Sequence, residues 1–222
     1  MKILFQSRDV VAVHKPSGWL SVPSIQGKKD PRPVAGLSLR EQVGSVYPVH
    51  RLDFEVEGIL LFALHPKAQK ILHKIWEEKS VKKIYFAKTS LQSFTHWPEK
   101  VAGLVLEEIN PGQCGLWESL IVQGKRRSFV AEHGQKSLTQ YELQQRSQSG
   151  CLWRLSPLTG RRHQLRLELS RHGFPIWGDK LYGSSVEYGM NKIGLVAAEI
   201  HFEQNYNLGL PKSISIGWDQ TL

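Results

Sequence analysis

The sequence predicts a protein of the α+β class, in which strands are numerous and helices are few. Short apolar runs recur along the chain between turns rich in glycine and proline, a pattern that is typical of strands. Helical spacing of apolar residues is rarer, and proline or glycine marks its ends. At 222 residues the chain is long enough to bury a core, as one globular domain or as two tightly joined lobes.

Several apolar or alternating segments are predicted to be strands. They are residues 10–13, 19–22, 58–63, 82–88, 139–143, 151–155, 194–202 and 214–218. The first two are joined by the turn sequence Pro16-Ser17-Gly18, so we expect a hairpin between them. In the segment 82–88, Ile84 and Phe86 alternate with Tyr85, which places the tyrosine on the opposite face of the strand.

Helices are predicted at two places, and two loops separate the regular elements. The first helix begins at Pro66 and carries its apolar residues at helical spacing. The second covers residues 162–172 and ends at Gly173. Residues 23–36 are rich in glycine, proline and basic side chains, so they indicate an exposed basic loop. Between residues 96 and 136 the pattern is weak and indicates only short strands and loops.

Composition favours a basic protein of a reducing compartment. Lysine and arginine outnumber the acidic residues by 29 to 20, and the formal charge of +9 favours a polyanionic partner, although a merely basic soluble protein has the same composition. Cys114 and Cys151 lie in unrelated contexts, which argues against a disulfide framework or a zinc site. Polar residues at positions 6–9 interrupt the first apolar run before a signal peptide or membrane span forms, so we expect a cytoplasmic protein.

Two clusters of residues are candidates for chemistry. In His50-Arg51-Leu52-Asp53 a carboxylate lies between an arginine and the predicted strand at 58–63, which would hold it on a rigid support. Arg162 and Arg166 are four residues apart, on one face of the predicted second helix, where two cations repel unless an anion lies between them. The expected anion is a carboxylate or a phosphate, and the alternative is a solvated basic face.

Three motifs together resemble the RluA-type pseudouridine synthases. They are His50-Arg51-Leu52-Asp53, then Lys83-x-Tyr85-x-Ala87, and then Thr159-Gly160-Arg161-x-His163-Gln164-Leu165-Arg166 followed by Gly173-x-Pro175-Ile176-x-Gly178-Asp179-x-x-Tyr182-Gly183. The match begins at Val13-x-Lys15-Pro16-x-Gly18 and leaves only residues 96–136 and the tail weakly covered. Because that segment starts almost at the N-terminus, we expect no extra N-terminal RNA-binding domain.

The resemblance implies a fold, a reaction and a partner. The fold is a mixed, mainly antiparallel sheet in two joined lobes with a central catalytic cleft and a few flanking helices, and residues 1–222 form a single catalytic domain. The reaction isomerises a specific uridine to pseudouridine without redox change, so no cofactor and no metal is expected. The partner is structured RNA, either tRNA or rRNA, rather than DNA or a membrane, and we expect the protein to act as a monomer.

By resemblance, three residues carry the reaction. Asp53 is the catalytic aspartate, Tyr85 lies against the target base, and Arg166 pairs with the aspartate and keeps it ionised. The aspartate can attack the ribose, attack the uracil ring or remove a ribose proton, and the sequence leaves all three routes open. Tyr85 offers a ring that stacks on the base and a phenol that relays a proton.

A second set of residues is predicted to bind the RNA. Because a stacked uridine must be flipped out, Arg51 can fill the space it vacates or hold a phosphate, or it can instead be a structural ion-pair partner. His50 and His163 are weaker candidates, since motif histidines are often structural. The candidates for binding the RNA backbone are Lys15, Lys83, Arg161 and Arg162.

The chain departs from the family pattern at two places. Where the family has a Thr-Ser pair after the aspartate, this chain has Val56-Glu57, and Glu57 is expected to point to solvent. Where the family has Leu-His-Ala, this chain has Leu195-Val196-Ala197-Ala198. Two further hypotheses therefore stand beside the enzyme, namely a catalytically silent RNA-binding protein or chaperone that uses the same basic cleft, and a basic protein that acts on a small anionic metabolite.

Overall fold

The computed structural model describes residues 1–94, 104–105 and 107–222. Over these residues the chain forms eleven strands, three α-helices and 3-10 turns at Gly27–Lys29 and Lys180–Tyr182. The strands are β1 (Lys2–Gln6), β2 (Val10–Lys15), β3 (Tyr47–Pro48), β4 (Glu57–Ala63), β5 (Val81–Thr89), β6 (Cys114–Gln123), β7 (Ser128–Val130), β8 (Gln135–Arg146), β9 (Cys151–Pro157), β10 (Leu195–Phe202) and β11 (Ser213–Ser215). The helices are α1 (Ala35–Val43), α2 (Pro66–Glu77) and α3 (Gln164–Arg171). The predicted α+β class is confirmed.

The chain divides into two compact units. The first contains residues 1–83, 190–192 and 196–218, and the second contains residues 84–189, 193–195 and 219–222. The boundary falls within β5, between Lys83 and Ile84. No α-helix within the described ranges is long and apolar enough to cross a membrane.

The first unit contains a mixed sheet with β4 near its centre. β2 pairs with β4 in antiparallel register from Val10 opposite Ala63 to Lys15 opposite Gly58. β1 and β3 add to this pair in antiparallel orientation, whereas β10 runs parallel to β4 and carries β11 on its other side. The sheet is therefore mixed but mainly antiparallel, as predicted.

The N-terminal hairpin differs from the prediction. β2 pairs with β1, and the Ser7 Oγ stabilises the turn by accepting hydrogen bonds from the backbone N–H groups of Asp9 and Val10, at 3.2 and 3.1 Å. The segment 19–22, which was predicted to pair with residues 10–13, forms only an isolated bridge between Leu20 and Val34. The prediction was wrong because β1 is only five residues long and none of its residues is fully buried, so its sequence lacks a clear strand pattern.

Helix α2 covers one side of the first unit's core, as its sequence predicts. Pro66 occupies its first turn, and the Nδ1 of His65 caps the helix by accepting a hydrogen bond from the Ala68 N–H at 3.1 Å. Ala68, Leu72 and Ile75 are almost fully buried in a cluster of side chains that includes β4 and β10. Their burial orients the helix, because one face is apolar and the opposite face carries charged residues.

The second unit contains an antiparallel sheet in the order β5-β9-β8-β6-β7. Of the stretch 96–136, for which only short strands and loops were predicted, residues 96–103 and 106 lie outside the described residues, and the remainder contains β6 and β7. β6 alternates buried and exposed side chains, and its Trp117 ring stacks on Tyr141 at 4.3 Å between centroids. The alternation was hard to recognise because Leu116 and Leu120 lie on the exposed face.

Helix α3 is shorter and more deeply buried than its sequence suggests. It begins at Gln164, because His163 has a left-handed backbone conformation with φ of 55° that interrupts the helix. Every side chain from Gln164 to Ser170 is buried. The prediction that Arg162 and Arg166 share a helical face was therefore wrong, and so was the alternative of a solvated basic face.

Candidate active site

The ten residues singled out by the sequence divide equally between the two units. The first unit contains Lys15, His50, Arg51, Asp53 and Lys83, and the second contains Tyr85, Arg161, Arg162, His163 and Arg166. Asp53 lies in the loop that leads from β3 into β4, whereas Arg166 lies on α3. The pairing of Asp53 with Arg166 and with Tyr85 stays a prediction, and each group is described in its own unit.

The loop that carries Asp53 is held by hydrogen bonds to its backbone. The Ser21 Oγ accepts a hydrogen bond from the Leu52 N–H and donates one to the Leu52 carbonyl oxygen, both at 2.9 Å. The Asp53 carbonyl oxygen accepts a hydrogen bond from the Val56 N–H at 3.2 Å, which closes a turn just after the aspartate. Leu52 and Val56 are buried on either side, so the half-buried Asp53 has a fixed backbone.

Lys15 is a structural part of this loop and not an exposed contact for RNA. Its side chain is fully buried, and its Nζ donates hydrogen bonds to the carbonyl oxygens of Pro16, Trp19 and Phe54 at 2.9, 2.8 and 3.4 Å. Burial lowers the pKa of Lys15 to about 8, although the negative charge of Asp53 opposes the shift. The prediction that Lys15 binds the RNA backbone was wrong, because a buried ammonium cannot reach a phosphate.

Beyond the end of β3, His50 takes the place of a strand residue as a hydrogen-bond partner of β4. Its Nε2 accepts a hydrogen bond from the Leu61 N–H at 3.1 Å, just beyond the point where β3 ends, and its ring stacks on Trp76 at 5.1 Å. Burial, aided by the positive charge of Lys83, lowers the pKa of His50 to about 3, so the ring is neutral. These contacts favour a structural role over the predicted RNA contact.

Arg51 and Lys83 are the cations of the first unit that fit the predicted RNA-binding role. Arg51 is exposed beside the buried Leu52, and within the described residues it forms no ion pair. Lys83 is half-buried on β5, and burial lowers its pKa from the usual value. Tyr85 is likewise half-buried and follows Lys83 by two positions, so the two side chains project from the same face of the strand.

Glu57 is not the solvent-facing residue that the sequence predicts. Its side chain is 16% exposed and forms an ion pair with the Nζ of Lys192 at 2.9 Å. The ion pair neutralises the second carboxylate near Asp53 in sequence. The next residue, Gly58, has φ of +130°, and a Cβ there would lie 2.3 Å from the carbonyl oxygen of Ala197, so only glycine fits.

Arg166 is buried on α3 and is oriented by Asp179. Its Nε and Nη2 donate to the two carboxylate oxygens of Asp179 at 2.7 and 2.8 Å, and its guanidinium lies 5.4 Å from the centre of the Tyr182 ring. The sequence analysis gave Arg166 a role but named Asp179 only as one residue of the motif that follows it. The occurrence of a carboxylate and an arginine in the same motif is the signal that could have identified Asp179 as the partner of Arg166.

The three residues that precede α3 form hydrogen bonds to other segments of the second unit. The Nδ1 of His163 contacts the Tyr182 hydroxyl at 3.0 Å, while Arg162 donates to the carbonyl oxygens of Gly124 and Arg126 at 3.0 and 3.1 Å. Arg161 donates from Nε to the Lys136 carbonyl oxygen at 3.0 Å. An RNA contact by any of them stays a prediction. Among the described residues, no three His, Cys, Asp or Glu side chains are grouped as metal ligands.

The fold thus contains an anchored aspartate in the first unit and an oriented arginine in the second. The family model for RNA pseudouridylate synthase matches residues 9–171. The chain belongs to the RNA pseudouridylate synthase family.

Relatives with known names agree with this family. The chain is 32% identical over 210 residues to the dual-specificity RNA pseudouridine synthase RluA of Vibrio cholerae, with 90% of this chain and 76% of that protein covered. It is also 32% identical over 212 residues to the ribosomal large subunit pseudouridine synthase C of Haemophilus influenzae, covering 93% of this chain and 62% of that protein.

A solved structure shares the fold at low sequence identity. Human RNA pseudouridylate synthase domain containing 4 superposes with a TM-score of 0.71 at 19% identity, covering 99% of this chain and 89% of that chain.

Proposed function

We propose that this protein isomerises a uridine of structured RNA to pseudouridine, with Asp53 as the residue on which the reaction depends. The observation that carries the proposal is the anchored loop of Asp53 in a chain of the RNA pseudouridylate synthase family. The names of the relatives, which are RNA and ribosomal large subunit pseudouridine synthases, support an RNA substrate. The catalytically silent protein has no comparable support.

The reaction breaks the bond between the ribose C1′ and the uracil N1, turns the base, and joins C1′ to C5. The proton lost from C5 is balanced by the one gained at N1, so the product is an isomer and no electron carrier is required. Asp53 attacks the ribose, attacks the uracil or removes a ribose proton. Each route requires an ionised carboxylate held still, which the hydrogen bonds from Ser21 and Val56 to the loop backbone support.

The other residues of the proposed mechanism bind and orient the uridine. Tyr85 stacks on the extruded base and relays the proton that leaves C5, because a half-buried phenol offers both a ring face and a hydroxyl. Arg166, with its plane set by Asp179, keeps Asp53 ionised. Arg51, exposed beside Asp53, enters the space that the flipped base leaves or holds its phosphate.

The test is direct conversion of RNA. Unmodified transcripts of tRNA and of large-subunit rRNA are incubated with the purified protein, and pseudouridine is mapped by selective chemical labelling. We expect one or a few sites with the parent protein and none with Asp53→Asn, which keeps the size of the side chain but removes its charge. Asp53→Asn should still bind the same transcripts, because the carboxylate is not a backbone contact.

Two outcomes would replace the proposal with one of its alternatives. If the parent protein forms no pseudouridine and Asp53→Asn binds RNA equally well, the protein is a silent RNA-binding protein. If neither binds RNA at low salt in a filter-binding titration, the partner is a small anionic metabolite.

We further infer that the two units together form one catalytic domain, and that the protein acts as a monomer in the cytoplasm. The family match extends across both units, which supports one catalytic domain. Size-exclusion chromatography with light scattering tests the monomer, for which the expected mass is 25.3 kDa. Urea unfolding followed by two spectroscopic probes tests the domain, because two units that form one domain should unfold in a single transition.

A further inference from the structure

A concave site lies in the second unit, and none of the three residues that carry the proposed reaction lines it. It is a cavity of about 320 Å³ where the end of β6 and the start of β8 meet the segment that precedes α3. Its polar lining includes Gln123, His133, Gln135, Arg161 and Arg162. We call it the β6–β8 pocket. Its volume is near the lower end of the range of ligand-binding pockets, about 300 to 1,000 Å³, and so suits a nucleotide fragment.

The pocket has a positive charge that the described part of the chain does not neutralise. Arg161 and Arg162 line it, neither forms an ion pair with an acidic side chain of the described residues, and Lys125 and Arg126 lie exposed on the adjoining turn. A concave surface lined by one sign of charge concentrates its potential and attracts counter-ions. The lining contains no carboxylate that would repel an anion.

Both arginines are held in place before any ligand arrives. Arg162 uses two N–H groups on the carbonyl oxygens of Gly124 and Arg126, and Arg161 uses its Nε on Lys136. A guanidinium has five N–H donors, so each arginine retains donors that can face an anion. Arginine is the residue that suits a phosphate best, since its planar fork makes paired hydrogen bonds.

We propose that the β6–β8 pocket binds a backbone phosphate of the substrate RNA, at a nucleotide other than the one that reacts. This inference rests on the proposed function for the identity of the RNA. The lining has neither the carboxylate nor the tyrosine that the reacting uridine requires, and its glutamine side chains can hydrogen-bond a neighbouring sugar or base edge. The pocket therefore anchors the RNA and affects its affinity and KM rather than kcat.

Gly160 offers a matched pair of variants for the test. It lines the pocket, and a Cβ added there meets no atom within 4 Å, so a side chain can begin there without a clash at its first atom. Gly160→Glu places a carboxylate in the pocket, whereas Gly160→Gln has the same size without the charge. Both variants should unfold at the same temperature, which separates an effect of charge from an effect on folding.

RNA binding is measured by filter titration with an unmodified large-subunit rRNA transcript. We expect Gly160→Glu to bind about tenfold more weakly than Gly160→Gln, with the difference shrinking as salt rises, and kcat at saturating RNA to be equal within about twofold. Equal affinity of the two variants would overturn the proposal.

A second comparison separates the pocket from net charge. Arg161→Gln should lower the slope of log affinity against log salt by about 1, whereas Lys67→Gln, which removes one exposed charge from α2, should leave it nearly unchanged. Equal losses in the two variants would overturn the proposal, since net charge alone would then explain binding.

The remaining outcomes separate this proposal from the proposed function. If the parent protein forms no pseudouridine but Gly160→Glu still weakens RNA binding, the proposed phosphate site is supported and the proposed enzymatic activity is rejected. If the parent is active and both Gly160 variants bind alike, only the pocket fails. If millimolar inorganic phosphate raises the unfolding temperature of the parent but not of Gly160→Glu, while RNA binding is unaffected, the ligand is a free phosphate and the RNA assignment is overturned.

Discussion

Arg166 and Asp179 form a buried ion pair whose two hydrogen bonds fix the plane of the guanidinium. The side chains are 3% and 0% exposed, so neither group can exchange its partner for water. Removing one partner of a buried ion pair is strongly destabilising, because the other charge remains in a medium of low polarity. We therefore predict that Asp179 is a positioning residue, which acts on the reaction through Arg166.

Replacing Asp179 by asparagine should impair both stability and turnover. We expect Asp179→Asn to lower the free energy of unfolding by about 3 kcal/mol and kcat by about a hundredfold, since an amide accepts at only one of the two positions. Denaturant unfolding and single-turnover kinetics measure the two effects. Glu187→Gln, which removes one partner of an exposed ion pair with Lys180, is the control and should change stability by less than about 1 kcal/mol. Unchanged kcat in Asp179→Asn would contradict the positioning role.

His50 should make the fold sensitive to moderate acid. Its pKa is lowered from the usual 6.5 to about 3 in the folded protein, so between these values the unfolded chain binds the additional proton. Its contribution to stability is therefore complete above pH 6.5 and declines as pH falls, by about 1.4 kcal/mol per pH unit between pH 6 and 4. Urea unfolding at several pH values measures this slope.

The contribution of His50 can be separated from that of other groups by substitution. His50→Gln retains an acceptor for the Leu61 N–H but does not titrate, so its pH slope should be smaller than that of the parent. An identical slope in His50→Gln and the parent would show that the histidine is not responsible.

At the scale of elements, the close approach of β4 and β10 depends on Gly58. Gly58 lies opposite Ala197 in the parallel pair, and its φ of +130° is available only to glycine at low cost. The contact lies at the start of the strand that follows the Asp53 loop. A change in this pairing would move the loop as well as the strand.

Alanine at position 58 should be poorly tolerated. The added Cβ would lie 2.3 Å and 2.6 Å from the carbonyl oxygen and nitrogen of Ala197, so we expect Gly58→Ala to destabilise the protein by at least about 3 kcal/mol. Gly217→Ala is the matched control, because a Cβ there meets nothing within 4 Å. Thermal unfolding of the two variants is compared, and similar unfolding temperatures would refute the steric account.

Elements with a strong local pattern were predicted well, and elements without one were not. The sequence identified β4 and α2 within a few residues, since a continuous apolar run and a Pro66 start are local signals. It missed α1, which has no acidic first turn and no side-chain cap. It also began α3 two residues too early, because the left-handed conformation of His163 depends on its contact with Tyr182, which is distant in sequence.

The sequence could name candidate site residues, but it could not predict their contacts. Motifs named Asp53, Arg166 and Tyr85, yet they gave no indication that Lys15 is buried or that Ser21 holds the loop. A lysine near an active site is usually exposed, and only the fold reveals three carbonyl oxygens around its ammonium. The sequence pattern could not predict contacts between residues that are far apart in the sequence.

At the scale of the whole molecule, the charge of +9 should dominate the affinity for RNA. Each phosphate contact releases counter-ions, so affinity falls steeply as salt rises. We expect binding of Asp53→Asn to an unmodified transcript to weaken at least about tenfold between 50 and 200 mM salt. Filter-binding titrations measure the slope, and the unfolding temperature over the same range shows that the protein stays folded. A flat salt response would mean that the phosphates contribute little.

The hydrogen bonds that Ser21 and Lys15 make to the backbone around Asp53 exist without any substrate. The conformational entropy of this loop is therefore lost during folding, and little of it is lost again when RNA arrives. Binding free energy that would otherwise order the loop remains available to extract the uridine from its stack. Val56-Glu57 can then replace a hydroxyl-bearing pair without loosening the aspartate, because the loop is ordered by the side chains of Ser21 and Lys15 and by the backbone N–H of Val56, which any residue at that position supplies.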